Sequence, residues 1–112
     1  HVLHIIFDFD KAISEIHRIL KPGGVALVAT PHISMYKPEF RECWRFTPYG
    51  LQGALTKSFG AEQVTMRAYG NSLTAAGEIR GLVVHEFTRS ELEYHDIRFP
   101  VEVCARAFKK AS

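Results

Sequence analysis

Six histidines are the most versatile chemical groups in this 112-residue sequence. An imidazole near neutral pH can serve as base, acid or metal ligand. His85-Glu86 and His95-Asp96 set imidazoles beside carboxylates and invite a metal reading. The spacing argues against it, because no two histidines stand four apart as in H-E-x-x-H, and Cys43 and Cys104 form no C-x-x-C pair. No metal site is therefore expected, and no G-x-S-x-G nucleophile turn occurs. A second group of chemical interest lies in the polar and aromatic stretch 31–46, which holds His32, Tyr36, Trp44 and Arg45. An aromatic ring beside a guanidinium can stack a planar group or clamp an anion. The structural alternative has Trp44 plugging the stretch onto the body while Arg45 pairs with Glu42 or Glu39. His32 reads either as a site residue or as a solvent-exposed loop histidine, and both readings stay open.

Such residues act only if regular elements place them. From Asp10 onward Ala12, Ile13, Ile16, Ile19 and Leu20 recur at helical spacing, with Lys11, Ser14, Glu15, His17 and Arg18 on the other face. Asp8 or Asp10 can cap the start of that helix. Lys21, Pro22 and the pair Gly23-Gly24 suit its end. Residues 25–30 are apolar on both faces, which predicts a strand buried between two helical layers. After the long stretch 31–46, of a length usually reserved for function, Thr47-Pro48 reads as N-cap and first-turn proline of a second helix. That helix carries Leu51 and Leu55 and ends at Phe59-Gly60. Val64, Met66 and Ala68 alternate with polar residues as a half-buried strand, and Gly70-Asn71 breaks it. Residues 73–87 are predicted helical, although Gly77 and Gly81 weaken the pattern. Residues 99–108 alternate as a closing strand whose second face, with Glu102, Cys104 and Arg106, is expected to be partly wet. Three rounds of helix then strand predict a layered α/β architecture.

The totals narrow the partners. Fourteen basic residues are spread among twelve acidic ones for a net charge of +2. Beyond Lys109-Lys110 there is no basic run, so no nucleic-acid surface is expected. The two cysteines sit far apart in unlike settings and read as reduced thiols. No apolar stretch approaches the ~20 residues that span a bilayer, and no charged-then-apolar leader is seen. No membrane partner and a cytoplasmic location are expected. The opening at His1, directly in an apolar run, predicts a fragment.

The same segments carry a resemblance. HVLHII followed by FDFDKAISEIHRILKPGG and VALVATP resembles the middle of the class I S-adenosylmethionine-dependent methyltransferases, where a helix ending in "LKPGG" leads into the fifth strand. WRFTPYGL, YGN and HDIRFPVEV, in that order, resemble a bacterial subgroup with a "WRFTP" loop, often associated with sugar or cell-surface biosynthesis. The resemblance implies a partial Rossmann-like sheet in which residues 25–30, 62–69 and 99–108 are family strands 5, 6 and 7. Their spatial order would be 5-7-6, with strand 7 antiparallel. It implies that residues 1–112 are the C-terminal, substrate-side half of the domain, without the glycine-rich turn and acidic residue that bind the cofactor in doubly wound folds. Gly23-Gly24 follows a helix and precedes a strand, the reverse of such a turn. On this reading His1, Val2 and His4 form one wall against S-adenosylmethionine, and His32 is the candidate catalytic base. Tyr36, Trp44 and Arg45 become candidates for contacting a small-molecule or glycan-related acceptor. The full-length parent would transfer the methyl group and this piece alone would be inactive. The alternative is a non-catalytic α/β module that self-associates, as a dimer or larger, through the strand edge that strand 4 would otherwise cover.

Overall fold

In the computed structural model, which describes residues 1–80 and 86–111, the first helix, α1 (Phe9–Ile19), starts where Asp8 accepts a hydrogen bond from the Lys11 amide at 3.2 Å. Ile13 on its inner face is fully buried. Gly23, at φ +85°, turns the chain back toward the sheet. The carbonyls left over at the helix end need donors, and a distant residue supplies them. Lys109 Nζ donates to His17 O and to Leu20 O, both at 2.8 Å. The far end of the chain thus caps the first helix, a role no local pattern announces. Before α1 the chain forms a 3-10 turn at Leu3–Ile5 with Leu3 and His4 buried.

Three strands follow in one sheet: β1 (Val25–Pro31), β2 (Val64–Tyr69) and β3 (Glu102–Phe108). The spatial order is β1-β3-β2, with β3 antiparallel to both neighbours. Val103 faces Thr30 on one side and Ala68 on the other. The second long helix, α2 (Pro48–Phe59), opens as its sequence predicts: Thr47 accepts the Gly50 amide at 3.0 Å, with proline in the first turn. Its buried residues Leu51, Leu55 and Phe59 pack with Ile13, Phe46 and Val103 into one apolar cluster under the sheet.

The expectation that residues 25–30 lie between two helical layers is corrected. Alternate residues of β1 are covered and the others are not: Thr30 is buried whereas Leu27 is 80% exposed. Both helices of the core pack on the face that carries Val28, Thr30, Val103 and Ala105. The opposite face, with Leu27, Arg106 and Thr65 side by side, has no helical cover among the described residues. An apolar residue on both faces encodes burial on both only when a second layer is there to provide it. The wet second face expected of residues 102–108 is seen at exposed Arg106.

Of the helix expected over residues 73–87, the described part of the link from β2 to β3 shows the first half. Helix α3 (Ser72–Arg80) is followed, beyond residues 81–85, which lie outside the described residues, by a short α4 (Arg89–Glu93). Thr88 and Glu91 close a reciprocal capping box on α4. Asn71 fastens the segment down, donating through Nδ2 to Glu91 O at 2.7 Å and to Tyr94 O at 2.6 Å. Asp96 accepts the Phe99 amide at 2.9 Å and clasps Arg98. That turn delays β3 to Glu102, three residues later than the alternation predicts.

Candidate functional site

A cavity of about 500 Å³ opens beyond the carboxyl end of β1. Its apolar lining comes from Ile5, Pro31, Ile33, Phe40 and Val101. Its polar lining comes from His1, His4, Lys37, Glu42, Glu78 and Glu102. Four pieces of chain converge here: the 3-10 turn at Leu3–Ile5, the loop after β1, helix α3 and the start of β3. An apolar cleft with a few convergent polar groups is the usual form of a small-molecule site.

The polar groups are held by specific bonds. The His4 carbonyl accepts the amides of Cys43 (2.7 Å) and Trp44 (3.0 Å), which clips the loop to the turn. Glu42 is nearly buried; its Oε1 accepts the Lys37 amide at 3.0 Å and its Oε2 lies 2.5 Å from Arg45 Nη2. Ser34 donates to Glu78 at 3.0 Å, and the His1 ring meets the Glu102 carboxylate. His4 itself is only 8% exposed, and its Nδ1 is enclosed without a hydrogen-bond partner among the described residues. Burial holds its imidazole below the ordinary histidine range, against the opposing pull of the Glu42 carboxylate; Arg45 and Lys37 add to the lowering. A neutral ring in an apolar wall is therefore the resting form at pH 7.

Of the residues singled out in the sequence, the structure brings His1 and His4 to the cavity. Val2 beside them is exposed and does not line it. His32 is half-buried at the head of the loop, where its amide donates to Val101 O at 2.9 Å; its side chain is not part of the lining. Tyr36 projects into solvent. Trp44 packs against Phe7 and edge-on against Phe9, and its indole donates to Phe7 O at 3.0 Å. Arg45 donates to Met35 O at 3.2 Å as well as pairing with Glu42. Trp44 and Arg45 thus brace the loop that forms one side of the cavity. Lys37, Glu42, Glu78 and Glu102 were not visible as site residues, because they come from separate segments and belong to no motif. Only the length of the 31–46 loop hinted at two of them.

His95 and Asp96 are engaged in the turn before β3: the His95 ring accepts the Gly70 amide at 3.1 Å and packs edge-on against Tyr69. His85 lies outside the described residues. Among the described residues no group of three or more histidines, cysteines or carboxylates could hold a metal ion. Both cysteines are free thiols, and burial pushes the Cys104 thiol up, with Glu102 adding to the effect. No described helix is long and apolar enough to cross a membrane.

With this geometry in view, a comparison with protein families gives one match: residues 1–28 fit the model of a family described as a methyltransferase domain. This stretch of the chain is similar to a methyltransferase domain. It covers a quarter of the sequence, and it runs from the His1 and His4 wall of the cavity through α1 into β1. No curated protein and no solved structure matches the chain.

Proposed function

We propose that this chain is the acceptor-side part of a Rossmann-like class I methyltransferase domain of the "WRFTP" subgroup, and that the whole protein methylates a small-molecule or glycan-related acceptor. The observation that carries the reading is the position of the cavity. It opens at the carboxyl end of β1, where ligands sit in doubly wound sheets, and one of its walls is the turn inside the family-matched segment. The strand order β1-β3-β2 with a reversed middle strand agrees with the 5-7-6 order of that family.

S-adenosylmethionine, when bound, supplies a methyl group on a positively charged sulfur. The chain's own residues fit one side of that group: His1 and His4 offer a partly apolar wall, and Val2 stands beside them. No G-x-G turn occurs in the sequence to cradle the remainder. On this reading the glycine-rich turn that cradles the rest of the cofactor comes from outside these 112 residues. Methyl transfer is an in-line displacement, so it depends on alignment and exclusion of water. The loop after β1 serves both needs. Arg45 and Glu42 hold its shape, and the Trp44 stack seals it against Phe7.

The test is transfer of a labelled methyl group from S-adenosylmethionine to a panel of small hydroxyl, amine and glycan-related acceptors. Residues 1–112 alone are expected to give none. The same residues within a polypeptide that carries a glycine-rich strand-turn-helix unit are expected to give measurable transfer. Turnover by residues 1–112 alone, or none by the longer polypeptide, would overturn the reading.

A second reading has its own observation. The outer edge of β1 has no strand partner among the described residues, and Leu27 beside it is bare. Unpaired, apolar edges recruit other chains. On this reading the 112 residues form a non-catalytic module that pairs β1 to β1 in a dimer. Sedimentation at micromolar concentration should then show a species of twice the chain mass. A stable monomer would remove this reading.

A further inference from the structure

The bare face of the sheet is sorted by strand. On β1 it carries Leu27, which is 80% exposed, and Ala29. On β3 it carries Cys104 and Arg106, and on β2 Thr65 and Arg67. The register sets Leu27, Arg106 and Thr65 in one row and Ala29, Cys104 and Arg67 in the next. The face therefore runs from an apolar column on β1 to a cationic side on β3 and β2. Both arginines are exposed, and neither belongs to an ion pair among the described residues.

An apolar column favours cover, and the two arginines restrict what can supply it. A second layer of the same core would bury two unpaired charges, which core layers almost never hold. An interface with a separate molecule is where arginine is enriched beside apolar contact area. A second copy of this chain fits poorly, because two-fold stacking sets a patch on itself and would bring arginine against arginine. A polyanion would meet the arginines but leave the apolar column wet. The occupant must be apolar on one side and anionic on the flank beside it.

The spacing suits an α-helix. Neighbouring strands lie about 4.8 Å apart, so β2, beyond β3, runs roughly 10 Å from β1. A helix with its side chains is about 10 Å across. Laid along β1 with its apolar stripe on Leu27 and Ala29, it holds one flank over Arg106 and Arg67.

We infer that the bare face docks an amphipathic helix of a partner protein, with its apolar stripe on Leu27 and Ala29 and an acidic flank paired with Arg106 and Arg67. Docking here is separate from methyl transfer and requires neither S-adenosylmethionine nor an acceptor.

Three stapled helical peptides of about 15 residues, each with the same leucine stripe, carry glutamate, glutamine or lysine along one flank. Titrated into residues 1–112 and followed by NMR, the glutamate peptide is expected to bind about tenfold more tightly than the glutamine peptide, the scale of two interfacial ion pairs. The amide signals of Leu27, Cys104 and Arg106 should move with it, and the preference should shrink as salt rises. The double variant Arg67→Gln/Arg106→Gln should bring the glutamate and glutamine peptides to equal affinity. Charge reversal, Arg67→Glu/Arg106→Glu, should turn the preference to the lysine peptide. Leu27→Ser should weaken binding of the glutamate peptide about tenfold through the lost apolar contact. Equal affinities in the unaltered chain, no binding of either peptide, or a glutamate preference that survives loss of both arginines would each overturn the inference. So would self-association of the chain that excludes the glutamate peptide, or a short DNA duplex that displaces it from the same signals, since the face would then belong to a second copy or to a polyanion.

Discussion

Gly70→Ala is expected to lower the unfolding free energy by about 2–6 kcal/mol, the sum of backbone strain and overpacking. Gly70 ends β2 at φ +127°, where residues with a side chain are rarely found. A Cβ there would stand 2.7 Å from both Val101 N and Val101 Cγ2, against backbone that cannot swing aside. The same short stretch carries three bonds: Gly70 N to the His95 ring, Asp96 N to Gly70 O at 2.7 Å, and Val101 N to Tyr69 O at 2.7 Å. Relief of the clash must break at least one of them. Val101 lines the cavity and accepts the His32 amide, so the damage reaches the site. Urea unfolding measures the loss, and Gly53→Ala is the control. Gly53 lies exposed inside α2 with nothing within 4 Å of its would-be Cβ, so alanine there is expected to add roughly 0.5–1 kcal/mol. A Gly70→Ala variant as stable as the parent would show that the described crossing of β2 and β3 is wrong.

Gly70 also shows where sequence reasoning stops. Its composition marks a break after a strand, and a break is what occurs. What the glycine is for depends on Val101, thirty-one positions away, and no local pattern contains that contact. The same division holds elsewhere. Thr47-Pro48 was legible, and the first cap was narrowed to Asp8 or Asp10, because capping is decided within three residues. The cap at the other end of α1 was not legible, because its donor is Lys109. The candidate site follows the rule. His1 and His4 were legible through the text of a family segment, whereas Glu78 and Glu102 reach the cavity only by the folding of α3 and β3. Residues 25–30 gave a misleading signal in the sheet. Apolarity on both faces records an environment that suits burial on both, and the described residues supply only one of the two layers.

Leu55→Ala is expected to cost about 2–5 kcal/mol, the range for truncating a fully buried leucine. Leu55 is 1% exposed in the middle of α2 and belongs to the cluster formed with Ile13, Phe59 and Val103. Removing its isobutyl group takes contacts from the helix and the sheet together, and a domain of this size has only about 5–15 kcal/mol in reserve. The informative comparison is Leu27→Ala. Leu27 is the same side chain on the same sheet, yet it projects from the uncovered face, where truncation should change stability by no more than about 0.5 kcal/mol. If both substitutions proved costly, and the cost at Leu27 grew with protein concentration, the open face would be covered by a second copy, since binding to the folded state alone stabilises by mass action. If Leu27→Ala were neutral at every concentration, the chain would tolerate a bare apolar face, and the case for a β1-to-β1 dimer would rest on the strand edge alone. The leucine pair therefore measures the one-sided core directly: Leu55 reports the layer that is present, and Leu27 reports whether anything else completes it.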